Sequence, residues 1–83
     1  MKIRVGNLSP ATRKADLLKA FASYGEVMRI KVVKDKDTGE RRGFAYVEMA
    51  SEDDGHKAIA GLNEVRLQGN VLAVREAHFK PKP

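Results

Sequence analysis

The sequence predicts an α+β domain whose elements follow the order β-α-β-β-α-β. Three observations lead to this prediction: four segments alternate apolar and polar residues, two others repeat apolar residues at helical spacing, and turn-forming residues separate them. The chain of 83 residues has the length of one small domain. Because such a domain has only a small core, we expect its function to lie on an exposed face.

A change of hydrophobic period marks the first strand and the first helix. Residues 3–5 alternate apolar and charged side chains, as a half-buried strand does, and residues 6–10 then supply turn formers. Residues 12–23 carry apolar side chains at helical spacing. Thr12 is the predicted N-cap of this helix, and Gly25 follows it as a C-terminal stop.

The second and third strands are predicted to form a hairpin. Residues 27–33 mix β-branched and charged side chains, and residues 42–49 form another alternating run. The stretch between these runs is rich in charge and contains Gly39, which is typical of a turn.

The second helix is predicted to begin after Ser51, whose side chain forms a capping box with Asp54. Apolar residues then recur along one side of this helix. Residues 63–69 are predicted to form a connecting loop, in which 65–67 suit a short strand. Residues 71–77 are predicted to form the fourth strand.

This order of elements is the split βαβ, or ferredoxin-like, arrangement. Two right-handed crossovers place both helices on one face of a four-stranded antiparallel sheet, and the other face is left bare. We assign residues 1–78 to this domain and residues 79–83 to a short basic tail that contains proline.

The amino-acid composition excludes several kinds of functional site and favours a polyanionic partner. A formal net charge of +5 suits a polyanionic partner, although proteins that bind no nucleic acid also carry such an excess. The absence of cysteine excludes disulfide frameworks, thiolate zinc sites and cysteine nucleophiles. No apolar run reaches the roughly 20 residues of a membrane span, so we expect no membrane contact and a cytoplasmic location, or a nuclear one in a eukaryote.

The alternation along residues 42–49 predicts which side chains occupy the bare face, because successive strand residues point to opposite sides of a sheet. Phe44, Tyr46 and Glu48 are expected there, and exposed rings are costly unless a ligand covers them. The small or aliphatic residues expected on the helix side are Ala45, Val47 and Met49. The basic residues that share the parity of the rings are Arg4, Arg29, Lys31 and Arg75.

Aromatic rings surrounded by cations suit single-stranded nucleic acid. Bases stack on such rings at about 1–3 kcal/mol each, and the cations neutralise phosphates. We therefore expect single-stranded RNA as the partner, with single-stranded DNA as the other nucleic acid that this face suits. Phe79 is equally suited to pack on the sheet edge and to cover a nucleotide.

Two short motifs resemble those of a known family. Residues 42–49 (RGFAYVEM) resemble the RNP octamer of the RNA recognition motif, except at the last position. Residues 3–8 (IRVGNL) resemble its RNP hexamer. The resemblance spans residues 2–77, and the chain is similar to small single-domain bacterial and glycine-rich plant RNA-binding proteins.

The resemblance implies roles for individual residues. Phe44 and Tyr46 match positions that stack on bases or sugars, and Arg42 matches a position that pairs with phosphate. Arg4 stands where the hexamer usually has a stacking Phe or Tyr, and a guanidinium can stack on a base or bind phosphate. The candidate RNA-binding residues are Arg4, Asn7, Arg29, Lys31, Arg42, Phe44, Tyr46, Glu48, Arg75 and Phe79.

Two other function classes remain open at this point. Some members of the family bind protein through a covered sheet or through their helices, and the missing ring at Arg4 favours that alternative. A small ferredoxin-like enzyme would need a phosphate-cradling loop, which the sequence lacks. We find no catalytic or metal-ligand constellation, so we expect no enzymatic activity, cofactor, metal or small-molecule substrate. We expect a monomer that acts in post-transcriptional regulation.

Overall fold

The computed structural model describes residues 1–34, 37–39 and 41–77, without the side chains of residues 34, 41 and 42. Its elements are β1 (Lys2–Gly6), α1 (Lys14–Ala22), β2 (Val27–Lys34), β3 (Arg41–Met49), α2 (Glu52–Leu62), β4 (Arg66–Leu67), β5 (Asn70–Val71) and β6 (Ala73–Glu76). The four long strands form one antiparallel sheet in the order β2-β3-β1-β6, so the predicted fold class is confirmed. The predicted tail, residues 79–83, lies outside the described residues.

Both helices pack on one face of this sheet. Leu17 and Phe21 of α1 are fully buried, and Ala58 and Leu62 of α2 join the same core. The strands contribute the alternate side chains that point toward the helices. The buried strand residues are Ile3, Val5, Ile30, Ala45, Val47, Met49 and Val74.

The predicted N-cap of α1 is wrong by one residue. Arg13 is the N-cap, and its backbone N–H donates to the Asp16 carboxylate at 2.8 Å. The backbone N–H of Thr12 instead donates to the Ser9 carbonyl at 3.0 Å. The chain is therefore still in the preceding turn at Thr12, and a carboxylate three residues into the helix supplies the hydrogen bond at its start.

Ser51 is the N-cap of α2 as predicted, but of the predicted capping box the described contacts include only the hydrogen bond that Ser51 accepts. The Ser51 hydroxyl accepts from the backbone N–H of Asp54 at 3.4 Å. The same helix has a glycine where the end of α1 comes close. Tyr24, just after α1, lies directly against Gly61 of α2, where a Cβ would overlap the phenol oxygen. A bare backbone at Gly61 therefore lets the end of α1 pack against α2.

The predicted fourth strand is too long at its start. Residues 70–71 pair with 66–67 in a separate hairpin, and only Ala73–Glu76 join the main sheet. Gln68 and Gly69 both have positive φ, 50° and 87°, which is the geometry of a two-residue type I′ turn. This turn favours local pairing, and Leu72 continues it by donating its N–H to the Val65 carbonyl at 2.9 Å.

The backbone of Glu64, which precedes this hairpin, has a positive φ of 67°. A side chain in this region costs about 1 kcal/mol that glycine does not incur. We expect Glu64→Gly to raise the midpoint of thermal unfolding by about 4–8 °C, measured by circular dichroism. Glu64→Ala is the matched control, because it removes the charge and keeps the Cβ. Equal midpoints for the two variants would contradict the explanation.

Candidate nucleic-acid interface

The side chains of β3 alternate between the core and the opposite face of the sheet. Ala45, Val47 and Met49 are fully buried. Phe44, Tyr46 and Glu48 are partly exposed and line a shallow groove of about 540 Å³. The face that carries these three residues is called the ring face below. The other residues that line the groove are Lys2, Arg29, Lys31, Val33 and Val47.

The two aromatic rings of the ring face contact each other, and one of them contacts a guanidinium. The centroids of Phe44 and Tyr46 are 6.0 Å apart, and their planes are perpendicular, an edge-to-face arrangement. The guanidinium carbon of Arg4 lies 4.9 Å from the Phe44 centroid, within the range of a cation–π interaction. Arg4 therefore places a flat, charged group against the face of the Phe44 ring.

Strand register aligns further cations with these rings. Arg4 is paired with Tyr46 on β3 and with Arg75 on β6, and Lys31 of β2 is paired with Tyr46 from the other side. The row Lys31, Tyr46, Arg4, Arg75 thus crosses the whole sheet. Neighbouring positions in such a row are about 4.8 Å apart. The row therefore places three positive charges on the two sides of one aromatic ring, as the parity of the sequence predicts.

A second row lies beside the first and contains the acidic residue of the face. Glu48 is paired with Lys2 on β1 and with Arg29 on β2. Lys2 and Val33 were not among the candidates predicted from the sequence, although both line the groove. The signal that could have found Lys2 is its parity with Arg4, two residues further along the same strand.

An irregularity in β3 precedes the two rings. Between the pair Val32–Ala45 and the pair Lys34–Arg41, β2 advances by two residues and β3 by four. Gly43 lies in this bulge with a φ of 79°, and its carbonyl accepts from the backbone N–H of Leu8 at 2.8 Å. Bulges change the direction of neighbouring side chains, and a positive φ favours glycine at this position.

The remaining candidates fall in three different situations. The Asn7 side-chain amide donates to the Val71 carbonyl at 2.7 Å, so it joins the end of β1 to the β4–β5 hairpin. The backbone of Arg42 belongs to β3, but its side chain lies outside the described part of the structure. Phe79 lies outside the described residues altogether. The roles of these three residues in binding stay predictions.

Metal-binding clusters and membrane-spanning helices are both absent from residues 1–34, 37–39 and 41–77. No group of three or more His, Cys, Asp or Glu side chains in these ranges is placed to hold a metal ion. No helix in the same ranges is long and apolar enough to cross a membrane.

Comparisons with known proteins point to one family. The family model described as RNA recognition motif matches residues 3–73. The putative RNA-binding protein RbpF of Nostoc sp. is 44% identical over 82 residues, which are 99% of this chain and 76% of that protein. Glycine-rich RNA-binding protein 1 of Mycosarcoma maydis is 41% identical over 80 residues, 96% of this chain, but this chain spans only 46% of that protein.

A solved structure gives the same result for the fold. The crystal structure of RNA binding protein PG1 superimposes on this chain with a TM-score of 0.91 at 41% sequence identity. The match covers 99% of each chain.

Proposed function

The chain belongs to the RNA recognition motif family, and from this premise we propose that it binds single-stranded RNA on its ring face. The observation that carries the proposal is the pair of partly exposed rings, Phe44 and Tyr46, on one face of the sheet, where Tyr46 lies in a row of cations that crosses all four strands. Single-stranded nucleic acid offers the complementary pattern, because bases alternate with phosphates along its length.

We assign the aromatic residues to bases. Each ring supplies about 1–3 kcal/mol of stacking, which is sequence-tolerant because every base has a π-face. Phe44 presents a ring already contacted by the Arg4 guanidinium, so the base that approaches it meets two flat groups. Phe79 is proposed to cover a further nucleotide.

We assign the cations to phosphates and to positioning. Arg29, Lys31 and Arg75 are exposed residues on strands of the same sheet, and Arg42 belongs to the same group by its place in the octamer motif. Phosphate contacts set affinity and orientation, while contacts with base edges set sequence preference. Asn7 is proposed to act at the end of β1, where its carbonyl already accepts from the Asn70 amide at 3.1 Å.

The proposed activity is binding without chemical conversion, by residues 1–78 acting as a monomer in the cytoplasm. Single-stranded DNA presents the same bases and phosphates, so discrimination against it would need contacts with the 2′-hydroxyl. Regulation of RNA after transcription is the process that such a protein would serve.

Amide chemical shifts measured by NMR test the binding surface. Titration with a pool of short unstructured RNA is expected to perturb the strands of the ring face, with the largest changes at Arg4, Phe44 and Tyr46. A matched DNA pool is the second arm and reports discrimination between the two nucleic acids. Changes confined to α1 and α2 would contradict the proposal.

A second candidate function is protein binding through the helix side, and one observation favours it. Leu18 of α1 and Met28 of β2 are 46% and 64% exposed and line a common groove. Adjacent exposed apolar residues are typical of protein contacts. A third arm of the titration, with a pool of short apolar peptides, distinguishes the two functions, because a peptide in that groove would perturb Leu18 and Met28 and leave Phe44 and Tyr46 unchanged.

A further inference from the structure

Glu48 is a carboxylate placed in the middle of a basic face. Among the described residues that line the groove it carries the negative charge, whereas Lys2, Arg29 and Lys31 are positive. It is partly buried, and in the part of the chain that the structure describes its carboxylate has no hydrogen bond or ion pair. Glu48 is therefore a free acceptor in the lining of the groove.

A free carboxylate at this position opposes part of the proposed function. It repels phosphate, so it weakens the general attraction of the ring face for nucleic acid. Its register neighbour on β2, Arg29, forms no ion pair with it within the described residues. The ligand group that fits above Glu48 is accordingly a hydrogen-bond donor. In RNA the donors are the ribose 2′-hydroxyl and the base edges, and of these only a base edge offers two adjacent donors to the two carboxylate oxygens.

We infer that Glu48 selects guanine at one position of the bound RNA, an inference that rests on the proposed function. An ionised carboxylate only accepts hydrogen bonds and has two oxygens for doing so. The Watson–Crick edge of guanine offers two adjacent donors, N1–H and the N2 amino group. Adenine, cytosine and uracil each place a single donor there, beside at least one acceptor that a carboxylate repels.

The positions of Tyr46 and Arg29 favour the same ligand. Tyr46 precedes Glu48 by two residues on β3, so both side chains lie on one face about 7 Å apart along the strand. A base stacked on the Tyr46 ring can therefore extend its edge over the carboxylate. Arg29 is paired with Glu48 across β2 and β3 and can donate to O6, the acceptor next to N1 of guanine.

Fluorescence anisotropy with labelled octamers tests this selection. The octamers are oligouridine and three versions of it in which one central residue is guanosine, adenosine or cytidine. The protein is expected to bind the guanosine version about tenfold more tightly than any other, the discrimination that one bidentate base contact gives. Inosine, which lacks the N2 amino group, is expected to lose most of this advantage.

Glu48→Gln is the decisive variant, since an amide cannot accept two adjacent donors with two oxygens. It should bind the four octamers to within about twofold of one another, without weaker binding of oligouridine. Glu52→Gln is the matched control, because it removes the same charge from an exposed position on α2 and should keep the guanine preference.

The possible failures are distinguishable. Binding of all four octamers with equal affinity by the unmodified chain would overturn the guanine assignment and leave the proposed function standing. A guanine preference that survives in Glu48→Gln would assign it to another residue and also overturn the inference. No binding of any octamer would overturn the proposed function itself.

Discussion

Tyr46→Ala is expected to weaken the binding of short single-stranded RNA by about 1–3 kcal/mol, and Phe44→Ala by a similar amount. Each substitution removes a ring on which a base would stack. Neither should unfold the domain, because the core contribution of β3 comes from the alternate residues that face the helices. The measurement is a titration followed by fluorescence anisotropy, with circular dichroism to verify folding.

The control for this experiment keeps the ring and removes only its polar atom. Tyr46→Phe should bind RNA nearly as tightly as the unmodified chain if stacking supplies the free energy. The double variant of Phe44 and Tyr46 with alanine gives the clearest contradiction. Unchanged affinity in a folded double variant would show that the rings are not the binding platform.

Arg4→Tyr is expected to strengthen binding at high salt and to flatten its salt dependence. The new ring adds a stacking surface worth about 1–3 kcal/mol. The same change takes one cation out of the row that includes Lys31 and Arg75. For a single strand, removing the charge that neutralises one phosphate should reduce the slope of log K against log salt by about 0.7. Affinities measured at several salt concentrations give both quantities.

Arg4→Gln separates the two effects of that substitution, because it removes the charge without adding a ring. It should flatten the salt dependence as Arg4→Tyr does and bind more weakly at every salt concentration. Weaker binding by Arg4→Tyr with a steeper salt slope would contradict the assignment of Arg4 to phosphate and to the Phe44 ring.

The spacing of apolar residues along the chain determines much of this fold, and that spacing is visible in the sequence alone. The burial of Ala45, Val47 and Met49 and the exposure of Phe44 and Tyr46 follow from alternation alone. The same parity rule aligns Arg4, Lys31 and Arg75 with Tyr46 in one row across the sheet. The order of the elements was predictable because turn residues separate runs with clearly different periods.

The errors arose where local hydrogen bonds competed with pattern. Thr12 is a good N-cap residue by type, but Asp16 caps the helix one position later through the N–H of Arg13. The apolar run that begins at Val71 suits a strand, yet the turn at 68–69 draws its first residues into another hairpin. Which hydrogen bond forms in these places depends on backbone geometry, and the spacing of apolar residues does not specify that geometry.

The side-chain contacts within the site could not be predicted from the sequence. Alternation predicts that Arg4 and Phe44 share a face, but it does not predict that the guanidinium lies on the ring. Glu48 was a candidate by parity, and only the structure shows a carboxylate without a partner in the described residues. Side-chain conformation decides both, and it depends on neighbours that come from other strands.

The position of β1 between β3 and β6 affects how the domain folds as well as what it binds. Neither partner strand is close to β1 along the chain, so both pairings require large loops to close before they are stabilised. The β2–β3 hairpin is the local exception and can form early. Phe44 and Tyr46 are then placed side by side before β1 and β6 bring Arg4 and Arg75 beside them. A nascent chain would carry the stacking platform first and acquire its complete row of cations only when the last strand docks.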